Sequence, residues 1–384
     1  MRILAVAHDK EFIGGANRSL LMVLSSLKAN YNVECDVLLP GKDGSFESKL
    51  KEAGINCIVS SYKGVFCACK GDKKDILRKV NVHFKYIKQK FLGRQLAKQL
   101  GDKKYDLIYT NTRFPAVGAE IAHCLKIPHI CHIREIGSPA MYCGKWSYSE
   151  IYRKSDKIIL ISQALYNRVA EDVPTDKLVM IYNGISGDIG LPVHELFPNG
   201  RFNMVLAGRI VPDKGHEDAI LAVYKMIQDN CENIHLYIAG SSPSSGKQYE
   251  DKLKNMIEKY SLQDKVTFLG EVQNMREIRK DMDIELVCSV CETFGRVTVE
   301  GMRNGLLVIG SNTGGTPEII QDNETGYLYE QGNPSDLARI LKMVYHNPDR
   351  GREIAMAGYV MSQKKFTEED NVRRIYEVMC ELCN

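Results

Sequence analysis

Residues 202–216 read Phe202-Asn203-Met204-Val205-Leu206-Ala207-Gly208-Arg209-Ile210-Val211-Pro212-Asp213-Lys214-Gly215-His216. A mostly apolar run of six ends on a glycine. A short loop follows with two cations and a second glycine, and a helical pattern opens over 216–229. Near-continuous apolar runs suit strands buried on both faces, and the order strand, loop, helix is the repeat of a parallel sheet. Downstream, strand runs at 233–239, 265–269, 283–287 and 306–309 alternate with helical stretches at 247–260, 271–280 and 296–304, and 334–382 reads as mostly helical. Upstream, apolar runs stand at 2–7, 33–39, 56–60, 105–110, 128–133, 156–161 and 178–182, with helices expected at 16–29, 72–100 and 114–125. Asn183-Gly184 breaks that first series, and 186–200 is rich in glycine and proline with no period.

The pattern predicts an α/β protein with two doubly wound, Rossmann-like domains. They are expected over 1–185 and 201–365, joined by a linker at 186–200, with a C-terminal helix at 366–384 that could return to the first domain. A length of 384 residues fits two domains better than one. Two such domains should face a central cleft, with the ligand at the carboxyl ends of the strands.

Composition excludes several classes. At 44% hydrophobic and 26% charged, the chain reads as globular, neither disordered nor fibrous. Met1 to Asp9 offers too short an apolar run for a signal-peptide core, and no stretch approaches the ~18 uncharged apolar residues of a membrane span, so a cytoplasmic location is expected. Twelve cysteines include CxxC spacings at Cys288/Cys291 and Cys380/Cys383, but nothing pairs the two into a zinc site, and reduced thiols are expected. Net charge is asymmetric. Residues 1–185 carry +11, residues 186–384 carry -8, and 63–104 alone carries 13 basic residues against Asp72, Asp75 and Asp102. That surface should meet an anionic partner.

Three runs bear on chemistry. Cys291-Glu292-Thr293-Phe294-Gly295-Arg296-Val297-Thr298-Val299-Glu300 follows an apolar strand and enters a helix. A helix N-terminus suits a phosphate, and the two carboxylates beside it suit hydroxyls, one on a sugar ring and the other on a ribose. In the 202–216 run, Gly208 and Gly215 let backbone approach a ligand, while Arg209 offers a fork and Lys214 a point charge for a pyrophosphate. Ile13-Gly14-Gly15-Ala16-Asn17 opens the first helix, and Ser311-Asn312-Thr313-Gly314-Gly315-Thr316-Pro317-Glu318 repeats the theme, with Thr316 expected as N-cap. Each run alone also reads as an ordinary turn or solvated helix start.

Taken together, these runs resemble the retaining glycosyltransferases of the large family with a Glu-x7-Glu motif, glycosyltransferase family 4 type. Glu292 and Glu300 match that motif with Phe294-Gly295 between them. Gly208, Arg209, Lys214 and Gly215 match its phosphate loop, Gly14 and Gly15 its glycine-rich first loop, and Gly314, Gly315, Pro317 and Glu318 its Gly-Gly-x-Pro-Glu segment. The cleft histidine is matched by His132 in His132-Ile133-Arg134-Glu135, and base contacts fall around Gly270-Glu271-Val272. The resemblance implies the GT-B architecture, a nucleoside-diphosphate-sugar donor with UDP expected, retention of configuration, and no cofactor or bound metal. It assigns Arg209, Lys214, Glu292 and His132 to catalysis. Donor contacts fall to Gly14, Gly15, Gly208, Val272, Thr293, Phe294, Gly295, Arg296, Val297 and Glu300. Two departures stand out: Glu300-Gly301-Met302-Arg303-Asn304-Gly305-Leu306-Leu307 replaces the family's Glu-Ala-Met, two small residues and Gly-x-Pro, so that the proline after the helix is lost, and Arg296 takes an often aliphatic position.

Asp281-Met282-Asp283 has metal-motif spacing, but a helix-to-strand junction explains two acids. Gly240 to Gln248 departs from a P-loop in spacing and lacks its Ser/Thr. In 63–104, Val80, Phe84, Ile87, Phe91 and Leu92 recur near helical spacing, with Lys79, Lys85, Lys88, Lys90 and Arg94 on the remaining faces. Such a helix suits an anionic membrane and, with it, a lipid-linked glycan acceptor; a core-packed helix with a solvated basic face fits the same pattern. Nucleic acid has no supporting motif. Two alternatives to the transferase stay open, a nucleotide-sugar epimerase on the same scaffold and a non-enzymatic protein that binds membrane or nucleic acid.

Overall fold

The computed structural model describes residues 1–12, 14–69, 71–136, 141–187, 196–197, 200–243 and 246–383. The chain divides into two compact units, Met1–Ser186 with Glu368–Asn384, and Gly187–Thr367.

The first unit runs β1 (Arg2–Val6), α1 (Gly15–Tyr31), β2 (Glu34–Leu39), α2 (Ser45–Glu52), β3 (Asn56–Val59), β4 (Cys67–Ala68), α3 (Asp75–Leu100), β5 (Leu107–Asn111), α4 (Val117–Leu125), β6 (His129–Ile133), β7 (Met141–Tyr142), α5 (Lys145–Lys154), β8 (Lys157–Leu160), α6 (Gln163–Ala170) and β9 (Leu178–Met180). Seven strands form one parallel sheet in the order β3-β2-β1-β5-β6-β8-β9, and β4 pairs with β7 as a small antiparallel ribbon. Alternation along β1 shows why its run is continuously apolar. Ile3 and Ala5 join Leu20 and Leu24 of α1, while Leu4 and Val6 join Leu96 of α3 and Val117 of α4 on the other face.

The second unit runs β10 (Phe202–Ala207), α7 (His216–Gln228), β11 (Ile234–Ala239), α8 (Lys247–Lys259), β12 (Val266–Gly270), α9 (Met275–Arg279), β13 (Ile284–Val287), α10 (Arg296–Arg303), β14 (Leu307–Ser311), α11 (Thr316–Ile319), β15 (Tyr327–Tyr329), α12 (Pro334–His346) and α13 (Pro348–Lys365). Its parallel sheet has the order β12-β11-β10-β13-β14-β15. The final helix, α14 (Glu368–Cys383), packs in the first unit. Val372 and Ile375 enter the α1 core layer, and Tyr376 lies against Tyr31 with ring centroids 4.2 Å apart.

Several expectations need correction or placement. Most of the expected linker, 188–195 and 198–199, lies outside the described residues, as do Ile13, Ser244 and Ser245 of the quoted loops. Phe197 belongs to the second unit: it stacks on Phe202 at 4.4 Å, and its N–H donates to Asp283 at 2.9 Å. Asp283 also accepts from the Asn203 N–H at 2.7 Å, so this half of the apparent metal motif is a buried backbone anchor. Thr316 is not the N-cap but the first residue of α11. Its side chain is fully buried and sits where a Cβ on Gly310 would come within 2.5 Å of its methyl. Packing against β14 therefore outweighs capping, and Gly315 holds the cap position.

Candidate active site

In each sheet the strand order turns outward in both directions from one point, and ligands of such sheets bind beyond the strand carboxyl ends there. In the second unit that point lies between β10 and β13. The loops leaving these strands are 208–215 and 288–295, the two runs singled out by their residue types. They are tied together. The Val290 N–H donates to the Asp213 carbonyl at 2.9 Å, and a Cβ on Gly215 (φ +66°) would lie 1.9 Å from the Cys288 carbonyl oxygen. Only glycine fits there.

Within this loop pair Lys214 donates to Glu292, which also accepts from the Ser289 hydroxyl at 2.7 Å. Arg209 is exposed and makes no ion pair among the described residues, leaving its fork available to a ligand. Gly314 and Gly315 lie against the backbone of 292–294. The Gly315 N–H donates to the Glu292 carbonyl at 2.7 Å, and a Cβ on Gly314 would meet that oxygen at 2.3 Å. The Gly-Gly pair thus supports the glutamate loop. Phe294 is buried and packs edge-on to Phe366 at 5.5 Å, fixing the turn into α10 at Gly295 (φ +93°). Thr293 and Val297 flank this turn half-buried, Gly208 ends β10's loop entrance, and Val272 packs against the layer of Val205, Ala239, Met282 and Leu306.

Glu300, on the second turn of α10, is held by two arginines. Arg279 at the end of α9 approaches it at 3.3 and 3.4 Å, and Arg296 at 3.6 Å. Arg279 is 3% exposed and gives its Nε to Glu285 on β13 at 2.7 Å; Glu285 is fully buried. Burial raises the Glu285 carboxyl above its ordinary value, and Arg279 opposes that rise. Sequence reasoning missed this pair. Its signal was a glutamate inside a strand otherwise apolar on both faces. The pair also explains one departure from the family: a Cβ on residue 301 would stand 2.9 Å from the Glu285 Cβ, so Gly301 makes room for it. Arg303, in the same departing segment, is buried and donates to the Ser362 and Phe366 carbonyls at 3.2 and 3.1 Å, closing the end of α13.

In the first unit the turning point lies between β1 and β5. Gly14 (φ +84°) caps α1, which begins at Gly15, and the buried Asn17 donates to the Asp9 and Glu11 carbonyls to close the loop before it. His132 is fully buried at the end of β6. Its Nδ1 meets the Tyr109 hydroxyl, and Arg134 reaches it at 3.3 Å while bridging Asn111 (2.6 Å) and Asn183 (2.5 Å). Burial, with the Arg134 charge behind it, holds the imidazole well below the usual histidine range, so the ring is neutral. Among the described residues no three His, Cys, Asp or Glu side chains gather as metal ligands.

Helix α3 has two apolar faces. Val82, Tyr86, Gln89, Gly93, Leu96 and Leu100 face inward; Leu77, Val80, Phe84, Ile87 and Phe91 form an outward stripe, with Phe84 57% and Phe91 66% exposed. The basic residues divide. Lys85 donates to the Phe66 carbonyl at 2.8 Å, and Arg94, its side chain 53% exposed, pairs with Glu120 at 3.0 Å. Lys88 and Lys90 make no ion pair among the described residues. No helix among the described residues is long and apolar enough to cross a membrane.

Comparison with known proteins agrees with this architecture. Residues 13–188 match the family described as Glycosyltransferase Family 4, and residues 192–361 that described as Glycosyl transferases group 1. An uncharacterized glycosyltransferase of Methanocaldococcus jannaschii is 31% identical over 285 residues, 71% of this chain and 75% of that protein. A subunit of phosphatidylinositol N-acetylglucosaminyltransferase from Saccharomyces cerevisiae is 32% identical over 138 residues, 35% of this chain and 29% of that protein. Among solved structures, Anabaena HepE in complex with UDP is similar with a TM-score of 0.83 at 21% identity, covering 100% of both chains. Two Rossmann-like units of GT-B type, carrying the paired loops at the turning point of the second sheet, place this chain in the group 1, family 4 type glycosyltransferases.

Proposed function

We propose that the protein is a retaining, metal-independent glycosyltransferase that moves a sugar from a UDP-sugar to a hydroxyl of a lipid-linked glycan acceptor. The observation that carries this reading is the pairing of Lys214 with Glu292 across the two loops at the turning point of the second sheet, with Arg209 exposed on the first loop and Glu300 on the helix that follows the second. The similar Anabaena protein binds UDP, which supports the choice of base. Arg209 and Lys214 hold the diphosphate, whose negative charge grows as the sugar leaves, so they serve rate as well as binding. In the free site Glu292 neutralises Lys214. An arriving diphosphate draws the ammonium away and leaves the carboxylate to hold sugar hydroxyls. Glu300, steadied by Arg279, holds the ribose. The acceptor attacks on the face the diphosphate leaves, and a phosphate oxygen takes its proton. His132, neutral, offers a hydrogen bond rather than charge. The two glutamates separate in experiment: Glu300→Ala mainly raises the dissociation constant for UDP, and Glu292→Ala mainly lowers kcat. Equal effects of both on both quantities contradict the division of roles.

The outward stripe of α3 supports a cytoplasmic enzyme docked on anionic membrane, and the yeast relative's phosphatidylinositol substrate is a membrane lipid. Each cation near such a surface contributes about 1 kcal/mol, and screening shortens its reach to ~8 Å at physiological salt. The wild type is expected to co-sediment with phosphatidylglycerol vesicles at low salt and to be released by salt. Lys88→Glu with Lys90→Glu, or Phe84→Ser with Phe91→Ser, stays in solution. Equal sedimentation of these variants makes the stripe a solvated face only.

A further inference from the structure

His216 opens α7 directly behind the loop that carries Arg209 and Lys214, and its side chain is fully buried. Both ring nitrogens are buried without completing a hydrogen bond among the described residues. An apolar residue would fill this place at less cost, because a buried polar group that makes no hydrogen bond lowers stability. The side chains around the ring do not serve it. Tyr249 of α8 stands edge-on with ring centres 6.1 Å apart and turns its hydroxyl to Glu217. Glu217 also accepts from Lys252 at 2.5 Å, and Asp218 accepts from the Tyr329 hydroxyl and the Gly332 N–H at 3.1 and 3.0 Å. Burial, with the Lys214 charge adding to it, pushes the imidazole down to about 4, so the ring is neutral and carries one N–H.

The acceptor that the ring faces is the Val211 carbonyl. That carbonyl receives the Lys214 N–H at 3.0 Å across the single turn Pro212–Lys214, so its place fixes where the Lys214 side chain starts. The stem of Lys214 then runs beside Gly208, where a Cβ would lie 3.6 Å from it. Upstream the loop is tied to its neighbour: the Gly208 N–H donates to Ala239 at 2.9 Å and the Ile210 N–H to Ser241 at 3.0 Å. A carbonyl oxygen has two lone pairs, so the Val211 oxygen has room for a second N–H. We propose that His216 is a positioning residue of the phosphate loop: as a diphosphate settles on Arg209 and Lys214, the His216 N–H closes on the Val211 carbonyl and fixes the turn that presents Lys214. The inference rests on the diphosphate reading above. It accounts for a histidine kept at a cost to the free protein, since the bound state makes the missing hydrogen bond.

The test compares His216→Leu and His216→Phe, which fill the space without a donor, with His216→Gln, which keeps an N–H. In the full-length protein the two apolar variants should weaken UDP binding about three- to tenfold, the worth of one neutral hydrogen bond, and His216→Gln should recover part of it. Their thermal midpoints without UDP should match or exceed that of the wild type, because the unsatisfied group is gone. A merely structural histidine would lower both quantities together. In protein with isotope-labelled histidine, UDP should shift the ring-nitrogen resonances of His216, identified by their absence from His216→Leu. Unchanged UDP affinity in both apolar variants overturns the proposal, as does a loss of affinity in both that follows a fallen midpoint or a failure to fold. So do ring-nitrogen resonances that UDP leaves in place. Arg209→Ala is measured alongside. If it binds UDP as the wild type does, the diphosphate reading fails; if it alone loses UDP, only the role of His216 fails.

Discussion

Arg279→Leu should lower the thermal unfolding midpoint by about 10 °C, because it strands Glu285 in the second unit's core. Removing one partner of a buried ion pair costs about 3–5 kcal/mol, and each kcal/mol moves the midpoint of a domain this size by about 2–4 °C. Both groups are nearly inaccessible, Arg279 at 3% and Glu285 at 0%, so water cannot take over the lost contact. Arg279→Leu combined with Glu285→Leu should recover most of the stability, since an apolar pair of similar volume avoids the desolvation cost. UDP affinity should not recover with it. Glu300 then keeps only Arg296, at 3.6 Å, and loses the anchor that fixes its carboxylate. Full recovery of both quantities would make Arg279 a stability element with no part in positioning Glu300.

Arg209→Ala with Lys214→Ala should lower kcat/KM by two to four orders of magnitude while leaving the fold intact. Each substitution removes a charge-assisted contact of about 1.5–3 kcal/mol to the diphosphate. Stability is spared because Arg209 is exposed, and the Lys214 pair with Glu292 is part-exposed and worth about 1 kcal/mol or less to folding. Unfolding traces that coincide with the wild type, beside lost turnover, distinguish a site defect from misfolding. Wild-type activity in this double variant would remove the phosphate assignment.

The strands were legible because a parallel strand covered on both faces tolerates few polar residues, so runs such as Ile3 to Val6 and Leu236 to Ala239 announce themselves. Less visible were α5, where Lys145-Trp146-Ser147-Tyr148 mixes polar and aromatic residues without a clear apolar period, and β15, an edge strand of three residues. Helix α3 shows a different limit. Its stripe 80, 84, 87 and 91 and its stripe 82, 86, 89 and 93 have equal spacing, so periodicity finds the helix but not which side turns inward. At the site, residue types and spacing marked Arg209, Lys214, Glu292 and Glu300. They could not mark Arg279, whose meaning depends on a fold that brings the end of α9 under α10.

The measurement closest to the central claim is incubation of the wild type with a panel of nucleotide sugars, with and without a lipid-linked acceptor from membrane extract. Free diphosphate and altered nucleotide sugar are both quantified. The proposed function predicts that UDP is released from one UDP-sugar, that acceptor accelerates the release, and that the transferred sugar keeps its anomeric configuration. Accumulation of a rearranged nucleotide sugar without UDP release, or no turnover and no UDP binding at all, would contradict it.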